Sequence, residues 1–325
     1  MRRVPARERG AALLSVLLLV AVMAVIAVVM LDRLGLATHL AGNGQAMTQA
    51  RLYATSAESL VIAKLRTGVA VDRNRTVDPT GLLGREITEA LPHGTIRLRV
   101  EDGANCFNLN SLVDNSPDRQ LVARPQGMDQ FVALAATLGI AENDARPLAA
   151  SIADWIDQDQ TPLPGGAEDD WYRAQPVPYR TASRLIGDVS ETRAIKGMTP
   201  VLFARLRPWL CALPRPDLSP IDLNTLRADQ MRLVAMAFPG VSEQRLRALV
   251  ARRPVLGYAT SGEALAAAGL SAGTAGAQFA VASRWFALDQ TITVGPITLH
   301  ERALVDAGLD PPRVAFRSWG VPADE

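Results

Sequence analysis

The sequence predicts an α+β protein: one long N-terminal membrane-spanning helix, an α/β head, and a large helical insertion within that head. Three observations carry the prediction. Ala11 to Leu31 is apolar except for Ser15, behind a leader holding Arg2, Arg3, Arg7, Arg9 and one acid, Glu8. Thr95-Ile96-Arg97-Leu98-Arg99-Val100 alternates with period two, as a strand with one wet face does. Comparable strand signals return only near Thr291, and the stretch between is mostly of helical period.

The apolar run of 21 residues is long enough to cross ~30 Å of hydrocarbon as a helix. A secretory signal has a shorter apolar core followed by small residues at its cleavage site. Here the small-residue junction Arg9-Gly10-Ala11 precedes the run, so cutting at Gly10–Ala11 removes only the leader. The leader arginines keep that end cytoplasmic and send the rest across.

From Leu31 to about Arg66 the helix continues as an amphipathic one. Leu34, Leu52, Ala57, Leu60, Ile62 and Leu65 alternate with Arg33, Gln49, Arg51 and Glu58. The Gly42-Asn43-Gly44 cluster is expected to bend or weaken it. Asp72 to Gly84 reads as a polar loop. After the strand at Thr95–Val100, Asp102-Gly103 makes a turn and Phe107 to Leu112 a second extended segment.

Helices are expected at Phe131–Leu138, Arg146–Ile156 and Thr199–Trp209, with a Pro-, Gly- and acid-rich loop from Asp157 to Pro178. A second helical group follows Pro214-Arg215-Pro216, at Arg227–Phe238, Ser242–Arg252 and Ser261–Ala268, with Ser242 as an N-cap. Thr291–Val294, Ile297–Leu299 and Val314–Trp319 read as strands returning to the head. The expected division is therefore 1–10 leader, 11–66 long helix, 67–128 first part of the head, 129–214 helical insertion, 215–290 second helical region and 291–325 returning strands.

Formal net charge is +1, and about −2 without the leader. No basic stripe favours a nucleic-acid partner. Cys106 and Cys211 each stand near a similar segment, Phe107-Asn108-Leu109-Asn110-Ser111-Leu112 and Ile221-Asp222-Leu223-Asn224-Thr225-Leu226. In an oxidising compartment they are expected to pair, the alternative being two buried thiols.

The acids Asp154, Asp157, Asp159, Glu168, Asp169 and Asp170 are the best candidate site. Asp154 and Asp157 share a helix face, and six carboxylates packed together would repel without a cation. Oxygen-only ligands suit Ca²⁺, and the absence of His or Cys among them disfavours zinc. The spacing is not that of an EF-hand. The alternative is a solvated acidic loop. Trp155, Trp171 and Tyr172 beside two carboxylates resemble a glycosidase platform, but are more simply packing residues.

His39, His93 and His300 are far apart in sequence and form no catalytic constellation. Ile195-Lys196-Gly197-Met198-Thr199 and Phe238-Pro239-Gly240-Val241-Ser242 resemble helix-hairpin-helix turns. Thr199 and Ser242 stand where DNA-binding versions carry a second Gly. Protein-interaction domains of the SAM type share the pattern. Arg245, Arg247, Arg252 and Arg253 keep a DNA-binding alternative open.

The N-terminus resembles the type IV pilin family, including the pseudopilins of type II secretion. The resemblance implies cleavage between Gly10 and Ala11 by a prepilin peptidase, retention in the inner membrane and a periplasmic head. The usual Glu at the fifth mature position is Ser15 here, which implies a place at the filament tip.

The rest resembles the large minor pseudopilin of the GspK type. This rests on Phe107-Asn108-Leu109-Asn110, Asp154-Trp155-Ile156-Asp157-Gln158-Asp159 and Gly166-Ala167-Glu168-Asp169-Asp170-Trp171-Tyr172. Pro178-Tyr179-Arg180, Ile195-Lys196-Gly197-Met198 and Asp222-Leu223-Asn224-Thr225 follow in order. Ser183 and Thr192 depart from the pattern, which commonly has Asn and Leu there. The resemblance implies a non-enzymatic subunit, calcium in the acidic loop, and other minor pseudopilins, the major pseudopilin and secreted proteins as partners. The alternative is a membrane-anchored pilin-like DNA-uptake protein.

Overall fold

The computed structural model describes residues 6–66, 74–78, 81–271 and 273–320. The side chains of residues 6–12, 274 and 275 lie outside the described residues, and with them the expected Gly10–Ala11 junction. Part of the expected loop 72–84 lies outside them too.

Helix α1 runs Ala6–Lys64 and is uninterrupted at Gly42-Asn43-Gly44. Helical bonding runs on through the Gly-Asn-Gly cluster, and Thr38 and Thr48 on either side donate their hydroxyls back to carbonyls three or four residues earlier. An 18-residue stretch of its apolar part has mean hydropathy 3.2, and none of that stretch is buried. Its second half turns a narrow stripe inward: Ala50, Ala54, Val61 and Leu65 are buried against a sheet.

That sheet has five antiparallel strands in the order β1 (Glu86–Leu91), β2 (Gly94–Asp102), β3 (Trp285–Val294), β4 (Ile297–Asp306) and β5 (Arg313–Trp319). β2 pairs directly with β3, Gly94 opposite Val294 and Asp102 opposite Phe286. Gly94 permits this close pairing, since a Cβ there would sit 1.7 Å from the Thr293 carbonyl oxygen. The whole of residues 103–284 therefore leaves from the end of β2 and returns at the start of β3.

Two expected boundaries move. Residues 103–128 do not belong with the sheet, because Phe107, Leu109, Leu112 and Val113 are buried with Phe131, Leu134 and Leu148 in the helical core. The returning sheet begins at Trp285 rather than 291, because Trp285-Phe286-Ala287-Leu288 is an apolar run in which alternation is hidden. Phe107–Asn108 is a strand of two residues followed by a 3-10 turn, not a longer extended segment.

One hydrophobic core holds the inserted body together from Phe107 to Val281. Its helices are α2 (Pro125–Thr137), α3 (Glu142–Ile156), α4 (Asp169–Arg173), α5 (Pro200–Leu206), α6 (Met231–Ala235), α7 (Glu243–Ala251) and α8 (Ser261–Ala267). The body is built twice over. Phe107–Asn108 pairs in parallel with Leu210–Cys211, and Ile221–Asp222 with Phe279–Ala280.

In the first half Asn110 accepts from Ile186 N–H at 2.8 Å and donates to the Ile186 and Leu213 carbonyls at 2.9 and 2.7 Å. In the second, Asn224 accepts from Tyr258 N–H at 2.7 Å and donates to the Tyr258 and Val281 carbonyls, both at 3.1 Å. A left-handed glycine turns each hairpin, Gly139 (φ 72°) between α2 and α3 and Gly240 (φ 83°) between α6 and α7. The halves differ between their second helix and the clamped residue. The second half crosses from Ala251 to Tyr258 in a short turn, whereas the first spends Asp157 to Leu185 on a long acidic loop. A disulfide joins Cys106 and Cys211, with Cα atoms 5.8 Å apart, where the first half opens and closes.

Candidate metal centre

The acidic loop begins where α3 ends. Asp154 sits in the last turn of α3 and Asp157 is its C-cap. The chain then swings out through Pro162 and Pro164 and returns to place Glu168 at the N-cap of α4. Ligand oxygens of Asp154, Asp157 and Glu168 lie within 4.8 Å of one another. All three residues are buried, at 0, 2 and 4% exposure.

Loop backbone positions the first acid. Leu163 N–H donates to Asp154 at 3.2 Å, and Ala167 N–H also bonds it. A Cβ on Gly166 would stand 1.9 Å from Asp154 Oδ2, so only glycine lets the loop close here. Lys196 Nζ donates to the Gly166 carbonyl at 2.8 Å and staples the loop from outside. Tyr172, fully buried, packs its ring against Trp155 at 5.2 Å and Tyr179 at 5.1 Å. Trp155 Nε1 donates to Glu191. Trp155 and Tyr172 thus form a packed wall under the loop, and not a sugar platform.

Burial first, and then the neighbouring carboxylates, push Asp154 to about 6, Asp157 to about 7 and Glu168 to about 8. Asp157 Oδ1 and both Glu168 carboxylate oxygens are buried without a hydrogen-bond partner. Three acids converging with orphaned oxygens fit a hard divalent cation with oxygen ligands.

Three of the six expected ligands stand outside this group. Asp159 is exposed and accepts from Thr161 N–H at 2.7 Å. Asp169 accepts from Thr181 N–H and hydroxyl at 3.0 and 3.1 Å and pairs with Arg173. Asp170 is wholly exposed. Adjacent residues at the start of a helix point in different directions, so only one of Glu168, Asp169 and Asp170 can face the triad. Lys196 was legible only as part of a hairpin motif; its reach to the loop follows from the long-range fold.

The arginines behind the DNA-binding alternative are engaged within the chain. Arg245 Nε donates to the Ala268 carbonyl at 2.9 Å and its Nη2 to that of Gly269. Arg252 Nη1 donates to the Ala267 carbonyl at 2.7 Å, so both cap the C-terminus of α8. Arg253 donates to the Leu226 carbonyl, and Arg247 pairs with Glu243 at 2.8 Å. Nothing favours a nucleic-acid surface here. His300 pairs with the Thr291 hydroxyl at 2.9 Å across β3 and β4.

Comparison with known proteins agrees with this architecture. Two family models, both described as type II secretion system (T2SS), protein K, match residues 105–215 and 221–282, the two halves of the inserted body. The type II secretion system protein K of Pectobacterium carotovorum is 35% identical over 97% of both chains. That of Klebsiella pneumoniae is 33% identical over 92% of both. A crystal structure of the GspK-GspI-GspJ complex from enterotoxigenic Escherichia coli contains a chain that matches with TM-score 0.75 and 28% identity, over 86% of this chain and 99% of that one.

An N-terminal apolar helix carrying a sheet with a duplicated helical insertion defines a minor pseudopilin of type II secretion. The chain belongs to the protein K family of that system, the GspK family.

Proposed function

We propose that this chain is a structural, non-catalytic tip subunit of the secretion pseudopilus, with a calcium ion in its acidic loop. α1 anchors it once in the inner membrane and the head stands in the periplasm. The observation that carries the reading is the match to a GspK chain crystallised with GspI and GspJ, which spans nearly all of that chain. The counterparts of GspI and GspJ are its expected partners, and the major pseudopilin continues the filament below.

Processing between Gly10 and Ala11 would free the amine of Ala11, and Ser15 would stand where a following subunit needs a carboxylate. Asp154 and Asp157 from the end of α3 and Glu168 from the far side of the loop are the side chains that would hold the cation. A bound divalent cation supplies the positive charge that these buried acids otherwise lack. The three residues together tie the loop to the helix it leaves.

The test is a thermal melt of the full chain in detergent, with calcium or with chelator. Binding to the folded state adds about 2.7 kcal/mol at one hundred times Kd, so calcium should raise the melting temperature by several degrees. Glu168→Ala should abolish the rise, and Asp170→Ala should keep it. A melt indifferent to millimolar calcium removes the metal from the reading and leaves the subunit assignment standing.

A further inference from the structure

The contact between α1 and the sheet is split in two. On one side Ala50 and Ala54 pack with Ile96, Ile292, Val294 and Leu299. On the other, Val61 and Leu65 pack with Val100, Phe286, Leu288, Ala303 and Val305. Between them lies Glu58, 3% exposed on a helix otherwise apolar on this face. Arg317 of β5 donates from Nε to Glu58 Oε1 at 2.7 Å and from Nη2 to Oε2. The same Nε donates to Glu301 Oε1 of β4 at 2.9 Å, whose side chain is wholly buried. Gln290 of β3 donates to Glu301 Oε2 at 2.7 Å and to the Ala54 carbonyl of α1 at 3.2 Å.

In the alanine cluster, apolar packing does not fix where the helix lies along the sheet. Ala46, Ala50 and Ala54 recur every four residues, so a slip of one turn replaces alanine by alanine. Such a slip would also carry Glu58 off its arginine and into an apolar cluster, leaving buried charge unpaired. We propose that Glu58, Glu301 and Arg317, steadied by Gln290, form a buried clasp that sets the axial register of α1 on the head. The clasp thereby sets how far the head stands from the membrane. Burial, and next the Glu58 carboxyl, push Glu301 up to about 8.

The test moves the acid by one turn. In the full chain in detergent, Glu58→Ala is combined with Ala54→Glu. Spin labels go on cysteines placed at exposed Leu40 of α1 and Thr88 of β1; the native cysteines are engaged in their disulfide. The unmodified register should give one narrow distance. The relocated acid should draw the head about four residues, or about 6 Å, toward the N-terminus, and shorten that distance. An unchanged narrow distance overturns the clasp. Should that variant not fold, Glu58→Leu with Glu301→Val and Arg317→Met gives an apolar interface of similar bulk. A broadened or multiple distance distribution then supports the clasp, and a single unchanged distance overturns it.

Discussion

Asp222 shows what one residue contributes where sheet and insertion meet. It is wholly buried, its Oδ1 accepts from Asn224 N–H at 2.8 Å, and its main chain is gripped by Asn105 from the turn after β2. Burial and the charge of nearby Asp102 push Asp222 up to about 8, while burial raises Asp102 to about 6. Both folded values exceed the ordinary carboxylate range, so folding favours the protonated forms. The stabilisation they give is present in mild acid and lost as pH rises toward 8, at up to about 1.4 kcal/mol per pH unit for each proton released. Denaturant unfolding of the chain between pH 6 and 8.5, in saturating calcium to hold the acidic loop constant, should therefore show stability falling with pH. Asp222→Asn should flatten that fall, and parallel slopes in the two proteins would contradict this role.

Among the elements, the paired clamps at Asn110 and Asn224 bear the most weight. Each closes one half of the inserted body by bonding three backbone groups. Replacing either by Ala leaves the N–H and carbonyl of Ile186 or of Tyr258 without that partner, at roughly 1–3 kcal/mol for each one buried, while the Leu213 and Val281 carbonyls keep the N–H groups of Arg215 and Thr76. Asn110→Ala and Asn224→Ala should each lower unfolding free energy by about 3 kcal/mol or more. Gln160→Ala, on the exposed loop, should stay within about 0.5 kcal/mol. The Cys106–Cys211 bond closes a loop of 105 residues, for which chain entropy alone predicts about 4–5 kcal/mol. Non-reducing mass spectrometry should recover the linked peptide, and reductant should lower the melting temperature. These elements were unequally legible. The similarity of Phe107–Leu112 to Ile221–Leu226 was visible, but the clamp was not, because its partners lie tens of residues away. β2, the second half of β3, the start of β4 and β5 announced themselves by alternation or by clustered Thr, Val and aromatics. β1 did not, since Glu86–Leu91 carries two glutamates and an alanine and is largely exposed. In the acidic loop, helical spacing singled out Asp154 and Asp157. No local rule distinguished Glu168 from Asp169 and Asp170, because their directions depend on how α4 docks. The arginines of α7 read as a basic face only until α8 is seen to end against them.

Over the whole molecule, one end of the chain limits what the other can do. α1 exposes an apolar surface from Leu13 to Leu31, suited to lipid or to the helices of other subunits, while its second half is committed to the sheet. In the proposed reading, processing at Gly10–Ala11 makes Ser15 the fifth mature residue, the place where the pilin-like pattern carries a Glu to meet the amine of the subunit before it. Burying a charge unpaired in an apolar bundle costs several kcal/mol. Ser15 cannot supply that charge, so this chain suits the position that no earlier subunit occupies. Immunogold labelling of assembled pseudopili should therefore mark one end only, at low abundance beside the major subunit. Ser15→Glu supplies the missing carboxylate and should let the chain enter behind other subunits, moving part of the label away from the end. Wild-type label spread along the filament would refute the tip assignment. If the Glu variant is still confined to the end, Ser15 is not what sets its place, and exclusion from the shaft must come from the bulk of the body inserted between β2 and β3.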